Sequence, residues 1–187
     1  MNFFELLTST ALENGAYRAN VIEVNDIEFD VNFRSMCESN YCGMYGKCYM
    51  CPPIVGNPEN LISKSKEYDY ALIFQTVTKL EDSYDFEEML EAKNGIQKLI
   101  SKFRDVFGQR NIYDVMFLGP GGCGVCKKCT KESNEPCRFP QLAIHSLEAY
   151  CINVYKLANS AKMKYVNGQD TVTYFAAILF KGDFCER

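Results

Sequence analysis

The sequence is short of most features that assign a function directly. It has a single histidine, His145, among 187 residues, so any histidine chemistry must use that one side chain. No nucleophile–histidine–carboxylate arrangement is visible, which leaves hydrolysis without a candidate site. The Gly119-Pro120-Gly121-Gly122 run lacks both the G-x-G-x-x-G pattern and the P-loop lysine, so it is no phosphate fingerprint. Positive charge is not in excess: a net charge of −4 and a pI near 5.2 argue against a general polyanion binder, and no nucleic-acid partner is expected. The longest apolar runs, Tyr70 to Val77 and Thr173 to Phe180, have strand length and fall far short of a membrane span. The opening residues have no basic start, and Glu5 interrupts their apolar pattern, unlike a signal peptide. These absences predict a cytoplasmic protein with no membrane partner. Without a repeat, a low-complexity segment or a linker, the length suits one domain over residues 1–187.

What the sequence does have is cysteine, ten in all, eight of them in two short windows. In a reducing compartment such groups serve as metal ligands or redox thiols rather than permanent disulfides. The later group, Cys123, Cys126, Cys129 and Cys137, opens with C-x2-C-x2-C, the spacing by which three thiolates grip one face of an iron–sulfur cube. The fourth ligand of a ferredoxin run follows after three residues and precedes proline. Here Cys137 follows after seven, with Arg138-Phe139 before Pro140. Gly121, Gly122 and Gly124 free the backbone to turn amides toward sulfur, and Lys127, Lys128, Lys131 and Arg138 are placed to offset the charge of ligated thiolates. A [4Fe–4S] cluster is the first reading and zinc the alternative, although C-x2-C-x2-C makes its middle thiol awkward for one tetrahedral ion.

The earlier group, Cys37, Cys42, Cys48 and Cys51, is looser. Three readings stand: a second metal or cluster of its own, Cys48 and Cys51 reaching across space to the later group, or reduced structural thiols. Tyr49-Met50 between the last two, and the missing helix start, argue against a thioredoxin-like pair. Pro52-Pro53 stiffens the exit of this loop. Cys151 reads as core and Cys185 is assigned no role. His145 reads as a surface or capping residue.

The order of elements is expected as follows. Residues 2–14 form a helix ending at Gly15. Ile27 to Arg34, with Ile27, Phe29, Val31 and Phe33 alternating against polar residues, predicts a half-buried strand. Asn57-Pro58-Glu59 marks a helix start, and Tyr70 to Val77 a strand covered on both faces. A long helix from about Asp85 to Phe107 presents Phe86, Met89, Leu90, Ile96, Leu99, Ile100, Phe103 and Phe107, with Gly108 as its stop. Tyr113 to Gly119 is a strand. Leu147, Tyr150, Cys151, Val154, Leu157, Ala158 and Ala161 predict a second long helix, and Thr171 to Phe180 closes as a strand. This gives an α+β or α/β layered domain, a central sheet with packed helices and two cysteine-rich loops at 37–53 and 119–140. Each loop is expected to follow a strand and precede a helix.

Several of these motifs together resemble a known family. They are Cys123-Gly124-x-Cys126-x2-Cys129, Glu135-Pro136-Cys137-Arg138-Phe139-Pro140, Ser146-Leu147-Glu148-Ala149-Tyr150 and Ile152-Asn153-Val154. In the first loop they are Cys37-x4-Cys42-Gly43-x-Tyr45-Gly46-Lys47 and Cys51-Pro52-Pro53. The family comprises small, cysteine-rich, predicted metal-binding proteins of anaerobic bacteria and archaea, a domain of unknown function. The resemblance covers Cys37 to the last strand. It implies ligand roles for Cys123, Cys126, Cys129 and Cys137 and for Cys37, Cys42 and Cys51. At Cys48 this chain departs from the family's basic or aromatic residue, and at Cys151 from its glycine. The combined reading is a metal-binding protein carrying one or two [4Fe–4S] clusters, with an electron-transfer role toward a protein redox partner. Zinc in a structural or interaction protein is the alternative. No residue stands out as catalytic.

Overall fold

The longest apolar run sets up the fold by facing two ways. In the computed structural model, which describes residues 2–182, Tyr70–Lys79 forms a ten-residue strand. Successive side chains of a strand alternate between faces. Here Leu72 and Phe74 enter one hydrophobic cluster, and Ala71 and Ile73 the other. The strand is therefore buried on both sides, as its unbroken apolar character requires.

Five helices and five strands are assigned in chain order: α1 (Phe3–Glu13), β1 (Arg18–Glu23), α2 (Phe33–Glu38), α3 (Pro58–Ser65), β2 (Tyr70–Lys79), α4 (Phe86–Gly108), β3 (Val115–Gly119), β4 (His145–Ser146), α5 (Val154–Ser160) and β5 (Thr171–Phe180). The sheet runs β1-β2-β5-β3-β4. All its pairings are antiparallel except the short parallel pair of β3 with β4. Helices α1 and α4 pack on one face with Phe3, Leu7, Ile96, Phe103 and Phe107. The other face is covered by Leu61 of α3, Leu157 and Ala158 of α5, and the Leu147–Ile152 turn. Each fully buried Phe or Leu contributes about 1.5–3 kcal/mol relative to exposure, so both layers carry weight. The result is an α+β fold. No helix among the described residues is long and apolar enough to cross a membrane.

Helix starts follow their capping residues. Asn2 accepts from the Glu5 amide at 2.8 Å while the Glu5 carboxylate accepts from the Asn2 amide at 2.9 Å, a reciprocal capping box. Asn57 accepts from the amides of Glu59 and Asn60, with Pro58 at the first helical position. Asp85 accepts from the Glu88 amide at 2.9 Å and starts α4.

Three expectations are corrected. Residues 27–34 do not form a strand: Phe29 makes an isolated bridge to Ile152, Asp30 accepts from the Asn32 amide at 2.9 Å, and the chain then turns into α2. Short polar side chains that bond nearby amides compete with a ladder, and here they win. The strand that joins the sheet is the less patterned Arg18–Glu23, at its edge. The second long helix is also absent. Cys151 adopts φ +59, a left-handed conformation that helices do not sustain, and α5 begins only after Asn153 accepts from the Lys156 amide. In α4, Phe86 and Leu90 lie 75% and 57% exposed, because the first turns of this helix extend past the sheet. The helix does end at Gly108 as expected, and the left-handed residue beyond it is Asn111 (φ +57).

The loops are consequently not placed alike. The first, 37–53, begins inside helix α2, which carries Cys37, whereas the second, 119–140, leaves β3 and leads through two 3-10 turns into β4.

Candidate metal centre

The second cysteine loop is held by the sheet and by α4. It leaves β3 at Gly119, where an added Cβ would lie 2.8 Å from Ile100 and 3.1 Å from Ile144, so a side chain there would have to displace the Ile100 tip. Buried Gln97 of α4 donates from Nε2 to the carbonyls of Gly122 at 3.1 Å and Cys123 at 3.2 Å. Gly124 sits against the same amide with φ +70, leaving no space for a side chain. The loop then returns on itself: Thr130 Oγ1 donates to the Pro136 carbonyl at 2.9 Å, and this closure brings Cys137 back toward Cys129. Arg104 fixes the exit, donating to the carbonyls of Gln141, Leu142 and Ala143 at 2.8, 3.0 and 2.9 Å. Its guanidinium lies 4.1 Å above the Phe117 ring.

The first loop has no strand beneath it. Internal turns shape it: the Gly46 amide donates to the Pro52 carbonyl at 2.9 Å, and Asn40 Oδ1 accepts from the Tyr45 amide at 3.0 Å. The Pro52–Pro53 bond is cis. Its support comes from the second loop. Tyr49 donates its hydroxyl proton to the Glu135 carbonyl at 2.7 Å, and Gly122 packs against Met44, with only 3.1 Å for an added Cβ.

The docked loops divide the cysteines differently from their order in the chain. Cys123, Cys126, Cys129 and Cys137 line one cavity of about 510 Å³, and Cys48 of the first loop joins them. Cys37, Cys42 and Cys51 line a second cavity of about 280 Å³ whose wall also includes Gly121, Gly122 and Glu148, and the Cys51 thiol donates to Cys48 of the first. All eight are free thiols, as is Cys151. They stand around open space rather than a point: among the described residues, no group of three or more Cys, His, Asp or Glu side chains is drawn together to hold a metal ion.

The electrostatics distinguish the thiols. Cys48 is pulled down to about 5, first by the hydrogen bond from the Cys51 thiol and then, against its burial, by the amides of Cys123 and Met50 and the Cys129 thiol. Cys51 is pushed up as the proton donor of that pair, and burial adds to the effect. Burial also raises Cys123, opposed by amide donors that include Ile144 N at 3.4 Å from its sulfur. Burial, then the Glu148 carboxylate, raises Cys37. The nearby lysines make other contacts: Lys128 pairs with Glu132 at 3.4 Å and Lys131 donates to Asn134 at 2.9 Å. The low pKa of Cys48 is thus the work of thiols and amides.

Two residues differ from expectation. His145 is neither on the surface nor a cap. It is largely buried in β4 with its ring edge-on to Tyr150 at 5.0 Å, and its Nδ1 has no hydrogen-bond partner. Burial, with Lys64 and Arg104 nearby, lowers it to about 4. Cys151 is core as expected, though in a left-handed turn instead of a helix. Cys185 lies outside the described residues.

Sequence reasoning missed Gln97, Arg104, Tyr49 and Glu148. Gln97 carried a signal, a polar residue inside the apolar stripe of α4. Glu148 carried another, within the Ser-Leu-Glu-Ala-Tyr motif. The Arg104 and Tyr49 contacts bridge 37 to 86 residues of chain and had none.

Both cavities are lined by soft thiol donors. In the larger one, amide protons already point at the sulfurs of Cys48 and Cys123, an arrangement that favours the thiolate form a metal requires. Residues 20–180 match the family described as "Predicted metal-binding protein (DUF2284)", and the chain belongs to that family. No curated protein and no solved structure matches it.

Proposed function

We propose that this protein is an iron–sulfur electron carrier, with Cys123, Cys126, Cys129 and Cys137 holding a [4Fe–4S] cluster. The observation that carries the reading is the shared 510 Å³ cavity: four thiols at cluster spacing surround a volume, where a single zinc ion needs four thiols at a point, about 3.8 Å apart for a 2.3 Å bond. Such a cluster, when bound, supplies one-electron oxidation and reduction. The chain's own part is to keep ligands deprotonated, to place amides at the sulfurs and to limit water. Ile144 N at the Cys123 sulfur does the second, and the Tyr49, Met50 and Leu90 side chains around the cavity do the third. Cys48, the fifth thiol here, lies close enough to Cys129 to hydrogen bond and serves as a neighbour to the ligands.

The partner in this reading is a redox protein, and the setting a reducing cytoplasm, which keeps the thiols available. The test is anaerobic purification with visible absorption and with iron, zinc and acid-labile sulfide measured on one sample. A brown protein with matching iron and sulfide, bleached by dithionite, supports electron transfer. A colourless protein with stoichiometric zinc replaces it with a zinc-stabilised interaction protein.

A further inference from the structure

The sheet has a notch along β5. The Tyr17 amide donates to the Gln75 carbonyl at 2.7 Å, so Gln75 faces β1. Its neighbours Phe74 and Thr76 then face β5, where they oppose Ala176 and Tyr174. Backbone groups of successive strand residues point to opposite edges, which turns the amides and carbonyls of Thr173 and Phe175 toward the β3 side. Strand β3 does not reach them: its last pair with β5 is Leu118 with Ala177. In continued register Pro120 would meet Phe175, and proline has no N–H with which to extend a ladder. Among the described residues, no strand pairs with that stretch of edge.

A cleft of about 450 Å³ lies at the notch, with Pro120, Thr173 and Phe175 on its wall. One end is aromatic: Tyr165 stacks on Phe175 at 5.9 Å, and Tyr155 meets Tyr165 edge-on at 5.7 Å. The end at Gly121 is polar and balanced in charge. The Lys93 ammonium of α4 would lie 3.3 Å from a Cβ at Gly121, and among the described residues it makes no hydrogen bond or ion pair. Glu148 accepts from Ser146 Oγ at 2.6 Å and from the Gly121 amide at 3.3 Å, both through Oε2, which leaves Oε1 without a partner among the described residues.

The geometry points to a binding site for a neutral, planar heteroaromatic ring with a lactam or imide edge, the class of flavin and pterin rings. One cation and one carboxylate sum to no charge, so a charged ligand is attracted by one and repelled by the other. A lactam instead offers its carbonyl to Lys93 and its N–H to Glu148 Oε1. The open Thr173 and Phe175 backbone supplies further donors and acceptors in the plane of the ring, and Tyr155 and Tyr165 supply surfaces for stacking. The volume lies in the range of cofactor pockets. This goes beyond the electron-carrier reading and does not rest on it. The cleft adjoins the thiol cavities through shared walls, Lys93 with the larger and Gly121 and Glu148 with the smaller.

The test is isothermal titration calorimetry on the full chain, purified anaerobically, with lumiflavin and 6-methylpterin as probes and iron measured on the same sample. At least one probe should bind, one per chain, and the tighter of the two identifies the ring. Its N3-methyl derivative, which lacks the edge N–H, should bind wild type about tenfold more weakly. Lys93→Met keeps the aliphatic stem and should also weaken the probe about tenfold, as loss of a charged donor predicts. Tyr165→Ala should weaken it roughly threefold to tenfold through lost stacking. Failure of both probes to bind at their solubility limits overturns the site. Equal affinity for a probe and its N3-methyl derivative, or binding indifferent to Lys93→Met, overturns it as well. Binding to protein that contains no iron keeps the site and removes only the electron carrier.

Discussion

The two cysteine loops have similar sequences of thiols and glycines, yet they are built on different foundations. The second grows out of strand β3, is clamped by Gln97 and Arg104 of α4, and re-enters the sheet at β4. The first hangs between two helices and leans on the second through Tyr49 and Met44. Support therefore runs one way, from sheet to second loop to first loop. Damage to the second loop should reach the first, whereas damage to the first should stop there.

The hardest test of that order is Cys126→Ala. Metal and fold share ligands, so metal content and melting temperature should fall together, with a loss of several kcal/mol; metal analysis and calorimetry on one sample decide it. Unchanged values in both would remove Cys126 from the site. Gly124→Ala comes next. The new methyl meets the Gln97 amide in a left-handed residue, costing about 2–4 kcal/mol. If support is hierarchical, limited proteolysis of this variant opens both loops, and protection of 37–53 would break the scheme.

Acid probes the exit of the second loop through His145, in the same range where Cys48 takes up its proton. His145 is held down near 4 against an ordinary value of 6.5, so between those values the unfolded chain binds more protons. The His145 contribution is absent above pH 6.5 and costs stability as pH drops toward 4, by at most about 3 kcal/mol. In metal-free protein, His145→Phe should flatten the melting temperature across pH 6.5 to 4.5 relative to wild type; equal slopes would show that the imidazole is not the group responsible. The mildest change is Tyr49→Phe. It removes one exposed hydroxyl bond between the loops, worth about 0.5–1 kcal/mol. Hydrogen exchange should quicken in 37–53 and stay the same in 119–140, and quickening in both would make the support mutual.

Much of this was legible in the chain because it depends on neighbours. The caps at Asn57 and Asp85, the double-faced strand at 70–79 and the closing strand at 171–180 follow from short-range pattern. The failures lie where local bonding overrode pattern. Asp30 and Asn32 turned an alternating run into a bend, and a left-handed Cys151 cut the helix expected across it.

Which residues are metal-ligand candidates was determined by sequence alone, since thiol spacing in a loop is a property of contiguous chain. How they are shared was decided by tertiary structure. Cys48 and Cys51 are three residues apart in the chain and in thiol contact, yet they line different cavities, because the first loop docks against the second at Met44 and Tyr49. That division depends on packing between segments some 80 residues apart, and no local pattern encodes a contact whose other half is elsewhere in the chain.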